Sequence, residues 1–261
     1  MSDFRAQVHI VSTSNAADRG FLALADFAAA RLPEDSYRVI GGHMVQLLQH
    51  VYPLDGWQLR GTADADAGME PRALVAGGQQ LHQHMLGLGY ELEKGNRYSK
   101  SLIQGRLDVD ILVPSFDGNH HCTEIGGRGF DSIPGLHLAI AANAVIVQAT
   151  VVSTSGETIE FTVPIPDVET AVVLKALAWR SRYADKDVTD LATLFEIVHQ
   201  HRERIQIWRL ADSGIAGARK DAVTALHLLT AAVDRRQCMR AFSGSATPAR
   251  FSALVRRYLN G

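Results

Sequence analysis

The chain has 261 residues, with 26 Lys and Arg against 28 Asp and Glu for a formal net charge of −2, and it is 46% hydrophobic and 21% charged. That balance excludes disorder, collagen and coiled coil as descriptions of the whole chain, and the length is enough to bury a sizeable core. The most apolar stretch, Leu136 to Val152, is broken by His137, Asn143 and Gln148 and is shorter than the roughly 20 residues a membrane helix needs, so no membrane partner is expected. Met1-Ser2-Asp3-Phe4-Arg5 lacks the apolar core of a secretory signal, and two cysteines, Cys122 and Cys238, make no disulfide framework. A cytoplasmic setting is therefore expected.

Taken in chain order, Asn15 can cap a helix running to about Arg31, with Phe21, Leu24, Ala25 and Ala28 at helical spacing, and Ser12-Thr13-Ser14 reads as a disordered lead-in. Tyr37 to Ile40 is a short strand that ends at Gly41-Gly42, and a helix follows from about His43 to Val51. After a loop over residues 53–59, Thr62 to Asp66 reads as an edge-exposed strand. Pro71 opens a helix that ends near Gly87 or Gly89. Strand-like runs follow at Tyr90–Glu93, Arg97–Ile103 and Arg106–Val113. Residues 114–135, rich in Gly, Asn, Ser and His, are expected to be loop. Ala144–Val152 and Thr158–Val163 are expected to pair as a hairpin around Ser155-Gly156. Beyond Pro164-Ile165-Pro166, Asp167 caps a helix to about Arg182, and Val188–His199, Arg219–Val233 and Thr247–Leu259 read as helices. This change of character divides an α/β part, residues 1–165, from a helical part, residues 166–261. The charge divides too, with a balance of −7 over residues 1–160 and +5 over residues 161–261.

Three Asp-x-Asp pairs occur: Asp64/Asp66, Asp108/Asp110 and Asp185/Asp187. With 18 Asp in the chain, one such pair by itself carries no weight, and context separates them. On a strand, residues i and i+2 share a face, so each of the first two pairs projects both carboxylates together. Like charges that close raise each other's pKa unless a cation neutralises them, and hard oxygen ligands suit Mg²⁺ or Mn²⁺ rather than zinc. Gly41-Gly42, between a strand and a helix, lets backbone N–H groups approach a phosphate. In the helical part, Lys175, Ala178 and Arg182 return to one helix face at offsets of three, four and seven, whereas Arg180 points elsewhere. Asp187 and Asp190, three apart, can face the same cleft.

The strand, Gly41-Gly42 turn and helix, followed by Arg60-x-Thr62-x-Asp64-x-Asp66 and a later strand bearing Asp108 or Asp110, resemble the DNA polymerase β-type nucleotidyltransferase superfamily. Together with Lys175-x-x-Ala178-x-x-x-Arg182-x-x-x-Lys186-Asp187-x-x-Asp190, they are similar to its abortive-infection (AbiEii-type) toxin branch. The resemblance spans roughly residues 36–195, with two departures: Gly41-Gly42 followed by His43 stands in place of the usual Gly-Ser of the wider superfamily, and Ala63 and Ala65 replace bulkier strand residues. It implies an α/β (α+β) fold, with a mixed-sheet polymerase β-like core followed by a helical C-terminal lobe. It also implies transfer of a nucleoside monophosphate from an NTP to an RNA hydroxyl, most simply a tRNA 3′ end, and a cognate antitoxin as partner. Asp64 and Asp66 would bind Mg²⁺ (or Mn²⁺) together with Asp110 or Asp108, and Asp110-Ile111-Leu112 fits the Asp-apolar-apolar context better. Gly41, Gly42, Arg60, Thr62, Arg182, Lys186 and Asp187 would contact the nucleotide. Lys175 would offset phosphate charge, with Asp190 orienting it.

The competing readings are a small-molecule or protein nucleotidyltransferase and a non-catalytic RNA- or protein-binding module. His120-His121-Cys122 lacks a spaced partner pair and reads as a surface loop rather than a zinc site. His82-x-His84 and His199-x-His201 fall in helices, where i and i+2 do not share a face. Trp179, Trp208 and Tyr258 read as core.

Overall fold

The computed structural model describes residues 4–58, 60–103, 105–242 and 246–259. Residues 1–3, and Leu59 at the end of the expected loop, lie outside the described residues. The first elements are β1 (Phe4–Val11), α1 (Asn15–Ala28), β2 (Tyr37–Val39), α2 (Gly41–Val51), β3 (Asp64–Met69) and α3 (Pro71–Gly87). Next come β4 (Glu91–Lys94), β5 (Arg97–Leu102), β6 (Gly105–Ser115), β7 (His121–Ile125), β8 (Arg128–Pro134), α4 (Leu136–Ala141), β9 (Val145–Val152) and β10 (Thr158–Ile165). The chain then turns helical, with α5 (Val168–Arg182), α6 (Asp185–Gln200), α7 (Gly217–Asp234) and α8 (Pro248–Leu259). The class is the expected one, α/β with mixed sheets and a helical C-terminal region.

Two sheets form. The smaller has the order β1-β9-β10, with β1 parallel and β10 antiparallel to β9. The larger runs β2-β3-β6-β5-β4, and the far end of the long strand β6 pairs with β8 instead of β5. Helix α1 packs on β3, β6 and β10, so it lies between the sheets, and α5 packs on α2, α4, α6 and α7. Alternation fixes the faces of the larger sheet. Ala65, Ala67, Leu107, Val109 and Ile111 are buried on one face, so Asp64, Asp66, Asp108 and Asp110 must project from the other. Among the described residues no helix is long and apolar enough to cross a membrane.

Four local expectations are corrected. The strand at the first Asp pair is not an edge: β3 lies between β2 and β6, and its Ala65 and Ala67 are small enough for close packing there. The cap of α1 is Ser14, whose Oγ accepts from the Ala17 N–H, and not Asn15. Ser12-Thr13-Ser14 is not a disordered lead-in: it links β1 to α1, with the Ser12 N–H donating to the Val152 carbonyl at 2.9 Å and Ser14 serving as the cap. The segment expected as loop over residues 114–135 holds the β7–β8 hairpin, turned at Gly126 and Gly127, both with positive φ. The expected hairpin of β9 and β10 and the Pro71 start of α3 are as read. Asp167 caps α5, its carboxylate accepting from the Thr170 N–H at 2.7 Å.

Candidate active site

β3 and β6 run parallel with Asp64 beside Asp108 and Asp66 beside Asp110, so two i,i+2 pairs become a block of four carboxylates on one sheet face, on strands about 4.8 Å apart. Their surroundings differ. Arg97, opposite Asp110 on β5, grips it with two bonds of 2.7 and 2.5 Å. Asp108 accepts from Ser99 and from Arg106, each at 2.6 Å, and Arg106 is held in turn by Glu93. Asp64 is exposed and Asp66 half-buried.

Asp66 is the electrostatic centre. Burial first, then the neighbouring Asp110 and Asp64 charges, push its carboxyl up to about 6 against the opposing pull of Lys175 and Lys186. Of the two β6 carboxylates, Asp110 is the one whose charge ranks among the largest acting on it. The carboxylate that shares this field from β6 is therefore Asp110, the one preferred on sequence context.

Helix α2 delivers its N-terminus to the same place. Gly41 has φ +67°, and a Cβ there would fall on the Asp66 carboxylate. Gly is thus required both for the left-handed conformation and for the approach. The Ile40 N–H donates to the Asp66 carbonyl at 2.9 Å, tying strand and helix together. No side chain caps this terminus, so its first amides are available to an anion. A Cβ on Gly42 would lie within 3 Å of Arg60 and Thr62. Those two residues therefore brace the turn from the segment leading into β3.

The helical region contributes a buried ion network. Lys175 is only 4% exposed, and its Nζ lies 2.7 Å from Asp190 and 3.7 Å from Asp187. Arg60 binds Asp190 through two nitrogens at 2.9 and 3.0 Å, and Arg182 binds Asp187 likewise at 2.7 and 2.6 Å. Asp187 and Asp190 are 0% and 2% exposed. Burial alone would raise Asp190, but Lys175 and Arg60 outweigh it and hold its pKa below the usual carboxylate range. Three cations thus meet two buried carboxylates, and the surplus charge faces Asp66.

These parts line one pocket of about 110 Å³, where Gly41, Asp66, Lys175, Ala178 and Arg182 meet Ile40, Met44, Leu112 and Leu174. A larger cavity of about 370 Å³ lies between Phe4, Tyr52, Asp167 and Arg204, away from all these residues. Lys186 is exposed, its charge reaching Asp66. Asp187 is enclosed by Lys175 and Arg182.

His120 also lines the pocket, and the sequence reading passed over it because its neighbours carried no metal spacing. The signal was there in Gly126-Gly127 between two short alternating runs, which marks a hairpin. Arg97 was missed because its importance depends on pairing with β6. The other histidine pairs are separated: His82 meets Tyr98, His84 the Asp26 carbonyl, His199 Tyr258 and His201 the Pro53 carbonyl. Trp179 is buried and the Trp208 indole donates to the Tyr258 carbonyl.

Among the described residues no three His, Cys, Asp or Glu side chains converge on a single point; Asp108 and Asp110 are turned toward their arginines. The donor chemistry nevertheless fits a hard divalent cation, because the Asp110 and Asp64 charges act on Asp66 together and its carboxyl stays raised despite the opposing Lys175 and Lys186 charges.

No protein-family model matches the chain, and no curated protein matches it. Among solved structures it is similar to the lincosamide antibiotic adenylyltransferase LnuA, lincomycin-bound, at 18% identity and TM-score 0.37 over 71% of this chain and 98% of that one. It is similar to the antibiotic-resistance factor ANT(2'')-Ia at 12% identity and TM-score 0.38, over 83% and 95% of the two chains. A third likeness is to the Rhodothermus marinus CdnE c-UMP-AMP synthase, at 10% identity and TM-score 0.26 over 95% and 91%. Similarity this low leaves the chemistry to be read from the side chains.

Proposed function

We propose that this protein is a nucleotidyltransferase that moves a nucleoside monophosphate from an NTP to an RNA hydroxyl and releases pyrophosphate. The observation that carries this reading is the block of carboxylates on β3 and β6, with Asp66 set against the uncapped N-terminus of α2 and facing Lys175. Acidic oxygens beside backbone amides and a buried ammonium form a site for a polyanion that arrives with cations. The tRNA 3′ end as acceptor and a toxin role with a cognate antitoxin are what the two motif signatures imply, and the +5 balance of residues 161–261 suits a phosphate-bearing acceptor.

In this reading Asp64 and Asp66, with Asp110, would hold Mg²⁺ (or Mn²⁺), which lowers the pKa of an acceptor hydroxyl and offsets charge on the departing pyrophosphate. The Gly41 and Gly42 amides and Lys175 take the phosphates. Asp190, gripped by Arg60, fixes the Lys175 ammonium from behind. Arg97 fixes the Asp110 carboxylate through two hydrogen bonds. The acceptor oxygen bonds to the α-phosphorus as the bond to pyrophosphate breaks, and its proton leaves to solvent or to a neighbouring base.

The test incubates the pure protein with total tRNA, Mg²⁺ and each α-labelled NTP, beside an Asp64→Ala/Asp66→Ala variant. Label entering RNA and lost in the variant is the expected result. Label entering an added small hydroxyl-bearing compound instead keeps the chemistry and replaces the acceptor. No transfer to any acceptor, with NTP binding unchanged in the variant, overturns the reading in favour of a binding module.

A further inference from the structure

A second depression adjoins the catalytic pocket. It measures about 460 Å³ and is lined by the loop before β7, the outer side of α5 and the middle of α7, including Leu177, Ser181, Asp221 and Thr224. His120 and Pro134 line both, so the two depressions sit side by side as neighbouring parts of one groove, with His120 between them. Helix α5 supplies both walls: Lys175, Ala178 and Arg182 face the carboxylates, and Leu177, Arg180 and Ser181 face the second depression. A space of that size suits one nucleotide unit, whereas about 110 Å³ does not.

We infer that this groove seats the terminal nucleotide of the RNA acceptor and that His120 is the residue that positions it beside Asp66. This rests on the nucleotidyltransferase reading above. Three observations select the acceptor over the NTP. The α2 amides and Lys175, which take the phosphates, lie at the opposite end of the pocket, for no residue of α2 lines the second depression. An in-line displacement places the incoming oxygen opposite the departing pyrophosphate. The lining suits a nucleoside: an apolar floor at Leu177, hydroxyls at Ser181 and Thr224 for base or ribose edges, and the planar groups of His120 and Arg180 for stacking. The loop before β7 is held in shape by Asp117, which accepts from Ser115 and from the Asn119 N–H. Burial and the nearby Arg182 charge lower the His120 pKa, which disfavours the charged ring.

The test uses Thr224→Trp and Ser181→Trp, two exposed helical positions whose filling blocks the groove, with His120→Ala and His120→Phe. Label transfer is measured with NTP and tRNA varied in turn. In parallel, binding of a 5′-fluorescein RNA tetranucleotide with a free 3′ hydroxyl is followed by anisotropy. The expected result is a rise of about tenfold in KM for tRNA and in Kd for the tetranucleotide in both Trp variants and in His120→Ala, with KM for NTP within twofold of wild type. His120→Phe restores most of the loss, which a purely structural role would not require. A rise confined to KM for NTP assigns the groove to the donor base and overturns the inference, as does unchanged acceptor KM in wild-type-like active variants. If wild type transfers no label yet binds the tetranucleotide in a groove-dependent way, the enzyme reading falls and the groove assignment stands. If the groove variants bind it like wild type, the assignment falls.

Discussion

Asp66 carries a cost that the free protein must bear. A carboxyl whose folded pKa is about 6, against an ordinary value of 3.8, binds more protons folded than unfolded between those values. Folding stability therefore falls as pH rises through that window, by up to about 3 kcal/mol. Asp66→Asn removes the penalty. In metal-free buffer its Tm should match wild type near pH 4 and exceed it increasingly up to pH 7, and added Mg²⁺ should narrow the gap by stabilising wild type alone. A gap that does not change with pH would remove the assigned cause. Lys175 plays the converse part, as a buried cation between two buried acids. Lys175→Met should lower turnover by roughly 10²–10³-fold if the ammonium stabilises charge that builds on the phosphate. It should also lower stability, since Asp187 and Asp190 lose a shared partner, although Arg60 and Arg182 still answer each of them. Near-normal turnover in a folded Lys175→Met protein would exclude the catalytic role.

At the level of elements, the site is a junction of three: the parallel pair β3–β6, the start of α2 and the buried side of α5. The register of β3 on β6 makes Asp110 the partner of Asp66 and leaves Asp108 outside, bound to Ser99 and Arg106. Asp110→Asn should therefore cost more than 10²-fold in transfer and Asp108→Asn less than tenfold, estimates on the scale of single catalytic groups; the reverse order in a side-by-side kinetic comparison would refute the assignment. The entry to α2 is equally specific. Gly41→Ala places a Cβ on the Asp66 carboxylate and holds an L-residue at φ +67°, a conformation costing about 1–2 kcal/mol. Calorimetry should show Tm reduced by about 2–8 °C, and transfer should fall at least tenfold because Asp66 must move. The i,i+2 carboxylates and the Lys175–Arg182 face were legible in the sequence, since strand and helix periodicity are properties of adjacent residues. The position of Thr62 and Arg60 as braces behind Gly42 was not, because it depends on how the segment before β3 folds back on α2.

Across the whole molecule, charge and shape work together. In the proposed reading the acidic strands gather cations at one side of the pocket, and the helical region, with its +5 balance, borders the groove at the other. RNA binding should weaken as salt rises, with a negative slope of log K against log salt; an affinity that ignores salt between about 50 and 200 mM would argue for a small uncharged acceptor. By itself the sequence determined the order of most elements, the helical character after Pro166, both Asp pairs and the Lys175 helix, because each is written in spacing, caps and turn residues close together along the chain. Tertiary structure alone decided that β1 pairs with β9, that β7 and β8 extend the larger sheet, that Arg97 rather than solvent answers Asp110, and that His120 stands where pocket and groove meet. Those facts depend on contacts between residues from 13 to more than a hundred positions apart, and packing of segments that distant leaves no period in the sequence from which to read it.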